Sequence, residues 1–598
     1  MRRRVRPGRL ATAAAAVLGL AALWVAPVAG HAATATSLSV DLSSSRGPST
    51  GVGVGFLYGI TQDGSQPADA YLQPLGINAF RGGGWFSGGW IKDGYRYGSA
   101  TQADVDSITA QARRLTRSPY HAQYQVLVSD IYGNNGGQPS TTVYPCDNGD
   151  CSNWISFIDS TVGALQASGL PFAYDIYNEP DISVFWKRGM NSAQYFQMWD
   201  SAYREIRRIA PSAPIVGPSL AFTPQSNPTE WSTWLSHVKA AGTVPDMITN
   251  HDEGDVDDPV TVSQAINADL AAAGIGTRPL SANEYQPADR QTAGVTAWYL
   301  ARFAQSGYSN AMRGNWVCCV TPNLTGVLTQ VNGTWQPNGN WWAMRAYADM
   351  TGTLVATSGE VGSTAVSASR DSTAGRAVAV IGDSNGYTGG ASLTFNGLGS
   401  VPWLANGGSV HVSVQRIPDQ APLASPQVVY DQNLSTSGGS VTVPFTFQAA
   451  HDAFAVYVTP AGSTGGGTSG ELHAVGAGKC LDVPDGSTSP GAQLQIRDCQ
   501  GGAGQTFTRT SAAQLTVYGG SDEMCLDASN KGTSPGTKVI VWPCNGQTNQ
   551  QWNLNSDGTV TSALSGLCLD VTGAGTANGA PVELWTCNGG SNQRWSLG

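Results

Sequence analysis

The 598-residue chain is too long for one ordinary domain. Its formal net charge of −10 lacks the basic footprint that phosphate backbones demand, which excludes nucleic acid as the expected partner. Charged residues are only 12% and apolar residues 41%, a balance that suits folded domains with weakly charged polar surfaces. The 74 Gly imply many turns, and the 18 Trp supply flat faces on which sugar rings can stack.

The chain opens with Arg2, Arg3, Arg4, Arg6 and Arg9, then a run from Leu10 to Val28 that is mostly Ala, Leu and Val. Small residues from Gly30 to Ala35 follow, so residues 1–35 are expected to be a secretory signal peptide. The apolar stretch is short for a membrane anchor, and no later segment has the unbroken apolar length to span a bilayer. A secreted, extracellular protein makes disulfides the default for its ten cysteines.

From residue 37 to 353, strand-like and helix-like patterns alternate. Eight short apolar runs stand near Val52–Phe56, Ile77–Arg81, Tyr124–Ser129, Phe172–Asn178, Ile215–Pro218, Met247–His251, Leu280–Glu284 and Ala311–Trp316. Between them, "SNWISFIDSTVGALQASG" and "NSAQYFQMWDSAYREIRRIA" repeat apolar residues at three- and four-residue steps. Eight such alternations point to a (β/α)8 TIM barrel, although periodicity alone does not separate it from a doubly wound sheet.

Hydrolysis of a glycosidic bond needs two carboxyls, one protonated for the leaving group and one ionised. This block holds five glutamates. Glu205 lies in the helical "YREIRRIA" and Glu230 follows Pro228 at a helix start, so both read as solvated helix charges. Glu179 and Glu284 instead fall at the C-terminal ends of the fourth and seventh runs, where a barrel gathers its catalytic groups. Glu253, in "NHDEGDVDDP", is the rival second carboxylate. Its neighbours Asp252, Asp255, Asp257 and Asp258 read as an exposed acidic loop rather than a calcium site, because EF-hand spacing is absent.

"YDIYNEPD" around Glu179 resembles the acid/base motif of the clan A retaining glycosidases. The resemblance implies that Glu179 is the acid/base and Glu284, in "SANEYQ", the nucleophile of a double displacement. It further implies that Asn178 contacts the sugar 2-hydroxyl and that Arg81 holds Glu284 ionised. His251 then orients, Trp316 offers an aromatic platform, and Tyr285 joins the substrate-binding set. For His251 and Trp316, simple packing is an equal reading. This chemistry calls for no cofactor and no metal. Cys318 and Cys319, just past Trp316, form a vicinal disulfide or two separate bridges. Cys146 and Cys151 are close enough to pair with each other, which favours the vicinal reading.

Residues 354–460 are all-β in pattern ("RAVAVIGDSN", "SVHVSVQRI") and are expected to form a β-sandwich. Barrel followed by sandwich resembles glycoside hydrolase family 39 and its neighbours, such as β-xylosidases and arabinofuranosidases. "AGSTGGGTSG", residues 461–470, is a flexible linker.

The last block, 471–598, repeats itself three times. "KCLDV", "MCLDA" and "LCLDV" carry Cys480, Cys525 and Cys568, each followed at one interval by Cys499, Cys544 and Cys587. Six residues further comes Gln-x-aromatic: Gln505/Phe507, Gln550/Trp552 and Gln593/Trp595. This resembles the ricin B-type β-trefoil lectins, or family 13 carbohydrate-binding modules. The resemblance implies core aromatics at Gln-x-Trp and one disulfide per repeat (Cys480–Cys499, Cys525–Cys544, Cys568–Cys587). Sugar would be held by Asp527, Trp542, Asn545 and Asn549 in the second repeat, and by Asp570, Trp585, Asn588 and Asn592 in the third. The first repeat has Asp482, but Arg497 replaces the Trp and Gly504 the Asn, so its pocket is expected to be weak or dead. Two working sites still give avidity on a polymer.

The combined expectation is a secreted, monomeric, exo-acting retaining glycosidase. Its partner is a pentose- or galactose-containing plant polysaccharide such as arabinoxylan, arabinan or arabinogalactan, with no nucleic acid and no membrane. Exo action would need a pocket closed by loops such as Asn134–Ser152. An endo-acting xylanase or glucanase, and a lectin with an inactive barrel, are the alternatives.

Overall fold

The structure, a computed structural model, describes residues 36–83, 99–129, 143–254, 257–314, 320–360, 362–461, 469–510, 513–519, 523–555 and 558–597. The expected signal segment 1–35, Trp316, Cys318–Cys319, most of the linker and part of the 134–152 loop lie outside these residues.

Strand β1 (Thr36–Asp41) corrects the expected start of the barrel. It pairs in parallel with residues 391–396 and antiparallel with residues 356–358, inside the all-β block. Its pattern explains this: Leu38 and Val40 are buried while their neighbours are partly exposed, the alternation of a sheet covered on one face.

The barrel strands read differently. They are β2 (Gly55–Leu57), β3 (Ala79–Gly83), β4 (Gln123–Leu127), β5 (Phe172–Asp175), β6 (Ile215–Leu220), β7 (Met247–Asp252), β8 (Leu280–Tyr285) and β9 (Asn310–Arg313). Apart from the first residue of β4, these strands are buried throughout, because helices cover the outer face of a parallel barrel and side chains fill the inner one. The order runs β2 to β9 and closes through Phe56 opposite Arg313, which excludes the doubly wound alternative. A helix follows each strand; the last, Gly339–Ala348, comes after a hairpin of β10 (Leu328–Val331) and β11 (Thr334–Pro337). The helix Ala193–Ile209 shows why the outer layer fits. Ser192 caps it by accepting from the Tyr195 N–H, and Tyr195, Met198, Trp199, Ala202 and Ile206 form its buried stripe. The Trp199 ring lies so close to Gly217 on β6 that a Cβ there would meet it at 2.4 Å.

The all-β block adds β12 (Thr353–Ser358), β13 (Thr364–Asp371), β14 (Arg376–Asp383), β15 (Gly389–Asn396), β16 (Ser409–Ile417), β17 (Gln427–Ser435), β18 (Val441–Phe447) and β19 (Ala453–Pro460). Hydrogen bonding links them in one path, β17-β16-β19-β14-β13-β12-β1-β15-β18. Phe445 on the terminal β18 nevertheless meets Phe454 on β19 with ring centroids 4.7 Å apart, so the sheet folds over onto its own core. The helix Ala293–Gln305, which follows β8, lies against β14. A Cβ on Gly382 would fall 2.1 Å from the Trp298 nitrogen, so only glycine permits that approach.

Residues 469–597 form three four-stranded repeats around a separate core that includes Trp552 and Trp595. The last strand, Trp595–Leu597, pairs with the first, Ser469–Ala474, and closes the domain.

Candidate active site

At the C-terminal rim of the barrel, Arg81 on β3 is fully buried and spends its whole guanidinium on neighbours. Its Nε donates to Asp175 Oδ2 at 2.8 Å, one Nη to Asn178 Oδ1 at 2.7 Å, and the other to Glu284 Oε1 at 2.5 Å. Burial opposes the Arg81 charge, but the Asp175 and Glu284 carboxylates outweigh it and raise its pKa. Asp175 is in turn bound by Ser219 Oγ at 2.8 Å and Asn283 Nδ2 at 3.0 Å. The cation is thus fixed before any substrate arrives.

Glu179 sits just past β5 with φ of 42°, a left-handed conformation that costs a non-glycine residue about 1–3 kcal/mol. Its N–H donates to Ser219 O at 3.0 Å, and Ser219 is itself left-handed at φ 54°. Two residues on, Asp181 accepts the N–H groups of Ala221 and Phe222, each at 3.0 Å, tying the loops after β5 and β6 together. Burial raises the Asp181 pKa to about 7 against those two bonds, with the charge of Glu179 adding to the rise.

His251, fully buried at the end of β7, bridges the two carboxyls. Its Nδ1 lies 2.9 Å from Glu179 Oε1 and its Nε2 3.7 Å from Glu284 Oε1. Burial pushes the imidazole down to about 4, against the pull of Glu284. Burial pushes Glu179 up to about 7, with Arg81 acting the other way. Asn178 spans the pair, accepting from Arg81 and reaching Glu179 Oε2 at 3.4 Å. Glu179, Glu284, Asn178, Arg81 and His251 therefore converge as one cluster.

Tyr285 does not join them. It is fully buried on the opposite side of β8, donates to Gly53 O at 2.8 Å and packs on Tyr299 and Phe303. Successive strand residues face opposite ways, so a neighbour of Glu284 on the strand is turned into the core. The acidic loop is also corrected over its described residues, Asp255 lying outside them, for it is not a solvated run. Asp252 is fully buried, accepting from Asn250 at 2.7 Å, and Asp258 caps a helix at the Val260 N–H and pairs with Arg302 at 2.7 Å. Asp257 accepts from the Gly254 N–H at 2.8 Å. Glu253 faces the carboxyl cluster. Glu205 pairs with Arg208, and Glu230 is bound by Asn227, as helix-surface acids. Sequence reasoning missed Asp175, whose signal was an acid ending the otherwise apolar run "FAYD".

In the trefoil the second and third repeats share one geometry. Asp527 accepts from Asn549 at 2.8 Å and Gln550 at 3.0 Å; Asp570 accepts from Asn592 at 2.9 Å and Gln593 at 2.7 Å. Trp542 and Trp585, each opposite the first Cys of its repeat, are both 42% exposed. Asn545 and Asn588 use their Oδ1 to cap backbone N–H groups two residues on. In the first repeat Arg497 takes the Trp position, opposite Cys480, and Asp482 accepts from Gln495 at 2.7 Å. Disulfides join Cys480–Cys499, Cys525–Cys544, Cys568–Cys587 and Cys146–Cys151. Among the described residues, no helix is long and apolar enough to cross a membrane.

Residues 468–595 match the family model described as the ricin-type beta-trefoil lectin domain. A 3-O-alpha-D-galactosyl-alpha-L-arabinofuranosidase of Bifidobacterium longum subsp. longum is 24% identical over 398 residues, 59% of this chain. The chain spans 34% of that relative's length. The structure of N2152 from Neocallimastix frontalis matches with a TM-score of 0.60 at 25% identity, covering 72% of this chain and 100% of that one. The family 39 glycoside hydrolase of Xanthomonas axonopodis pv. citri matches with a TM-score of 0.50 at 13% identity, covering 73% of this chain and 99% of that one. The chain is glycoside-hydrolase-like in fold and carries a carbohydrate-binding domain of the ricin type at its C-terminus.

Proposed function

We propose that the protein is a secreted retaining glycoside hydrolase that cleaves pentose- or galactose-containing plant polysaccharide, with Glu179 as acid/base and Glu284 as nucleophile. The observation that carries this reading is the convergence of both carboxyls on one buried imidazole and one buried guanidinium at the barrel rim. Their environments differ in the sense the chemistry needs. Glu179 is desolvated and protonated below about pH 7, whereas Glu284 is paired with Arg81 at 2.5 Å. Retention requires the two carboxyls about 5–5.5 Å apart, and one imidazole within reach of both keeps them neighbours.

In the first step Glu284 attacks the anomeric carbon while Glu179 protonates the departing oxygen, leaving a glycosyl-enzyme ester. In the second, Glu179 takes a proton from water, which attacks the same carbon and frees Glu284. Neutral His251, with Nδ1 2.9 Å from Glu179 Oε1, orients the acid/base carboxyl through a hydrogen bond. Asn178, fixed by Arg81, presents its amide to a sugar hydroxyl. The name of the Bifidobacterium relative joins galactosyl and arabinofuranosyl groups, which supports polymers of arabinose and galactose over glucans. The exposed Trp542 and Trp585 would hold the polymer while the barrel acts, and exo action is the mode we favour. Disulfides and a lectin domain accord with an extracellular protein.

The test is product analysis on arabinogalactan, arabinan and arabinoxylan beside Glu179→Gln and Glu284→Gln. One mono- or disaccharide, absent with both variants, is the expected result. A ladder of oligosaccharides would instead assign endo action. No product from the unmodified protein, with sugar binding intact, would leave a lectin on an inactive barrel.

A further inference from the structure

Glu253 is a third carboxyl at this site, and the proposed double displacement gives it no task. It follows β7 by one residue, and the β7–β8 register sets His251 opposite Glu284. One oxygen of Glu253, one of Glu179 and a ring nitrogen of His251 lie within 4.8 Å of one another. Glu284 stands on the same side, its Oε1 3.7 Å from the His251 Nε2, and a side-chain hydrogen bond to Glu284 is among the causes that raise the Glu253 pKa. The Oε1 of Glu253 is buried and faces no donor group.

Two carboxyls in hydrogen-bond contact share a proton, since neither can donate when both are ionised. The cation decides which one keeps it. Arg81 touches Glu284 at 2.5 Å and makes no such contact with Glu253. The other groups around Glu253 do not supply a compensating charge. Glu179 and Glu284 are acids, His251 is held neutral by burial, Asp252 beside it in sequence is an acid, and Tyr299 is neutral and donates its hydroxyl to Asp252 O. Burial and the two neighbouring glutamates both push the Glu253 pKa upward.

We infer that Glu253 is a positioning residue that keeps its proton and donates it in a hydrogen bond to Glu284, holding the nucleophile between a neutral donor and the Arg81 guanidinium. This rests on the assignment of Glu284 as nucleophile. A neutral donor orients the attacking oxygen without adding a second cation, which would hold its charge too tightly for attack.

The experiment compares Glu253→Gln with Glu253→Ala, using sugar release from arabinogalactan across pH 4 to 9 and circular dichroism to verify folding. The alanine variant should lose about 10- to 150-fold in kcat, the span of one hydrogen bond to a charged group, with KM within about threefold. Its acidic limb should move to higher pH, because Glu284 has lost a donor that favoured its ionised form. Glu253→Gln keeps an N–H donor and should recover most of the rate, with the acidic limb back in place. Equal losses in both variants with unmoved limbs would overturn the inference and leave Glu253 a packing residue, as would an alanine variant of full activity. Glu284→Gln, run in parallel, separates the two levels. If it retains turnover, the nucleophile assignment fails and the inference with it. If it is dead while Glu253→Ala keeps full activity, only the role of Glu253 is lost.

Discussion

The barrel rim and the trefoil both place acids where sugar is expected, yet they prepare them in opposite ways. In the barrel the acids are buried and held by a guanidinium, an imidazole and one another, so their protonation is set by desolvation and charge. In the trefoil Asp527 and Asp570 are held by neutral amides, and the neighbouring Trp542 and Trp585 rings stay 42% exposed. Among the described Phe, Tyr and Trp residues the only other one so exposed is Phe222, on the loop after β6. Bond cleavage needs charges whose pKa values are pushed apart in a dry site, whereas holding a polymer needs accessible apolar area and rigid acceptors. Charge carries the first region and surface the second.

The widest split between the regions should come from Glu179→Gln. Its kcat is expected to fall about 10²- to 10⁴-fold, the usual worth of a general acid. Binding to an insoluble polysaccharide, measured by pull-down, should be unchanged, and a parallel loss of binding would break the division of labour. Next, Arg81→Met removes the cation from between Asp175 and Glu284 and should destabilise the protein by about 3–5 kcal/mol in denaturant unfolding. No comparable loss is expected from Trp585→Ala, whose ring is already exposed. The pH response should differ as well. Glu179 has a raised pKa and acts while protonated, so kcat/KM should decline about tenfold per unit as pH climbs beyond about 7, while trefoil binding stays flat. A flat rate to pH 9 would remove Glu179 from the acid role. Trp542→Ala and Trp585→Ala should each weaken binding about tenfold by loss of ring stacking, leaving kcat on a short soluble substrate within twofold. The smallest effect is expected from Arg497→Trp, a gain below about twofold. The ring would return, but Asp482, held by Gln495, would still lack the Asn amide that supports its counterparts.

Much of this was legible beforehand wherever a local pattern carried the information. The three Cys-Leu-Asp repeats, their cysteine intervals and the Gln-x-aromatic pairs mark the trefoil because each repeat states its own geometry. The eight apolar runs mark the barrel because strands covered on both faces must be apolar throughout. Glu179 and Glu284 stood out because they end such runs. Residues whose role depends on facing were not legible. Tyr285 was expected in the substrate-binding set, and the pleat turned it into the core. β1 was assigned to the wrong domain because six residues do not announce a partner some 350 positions away.

By itself, then, the sequence determined the trefoil, the barrel pattern and the two carboxyls proposed to act, since these follow from spacing, strand ends and local composition. Tertiary structure alone decided that Asp175 fixes Arg81, that His251 spans both carboxyls, and that Glu253 stands with Glu179 and His251. The physical reason is that desolvation and charge pairing depend on distances between strands far apart in the chain, and no local pattern encodes those distances.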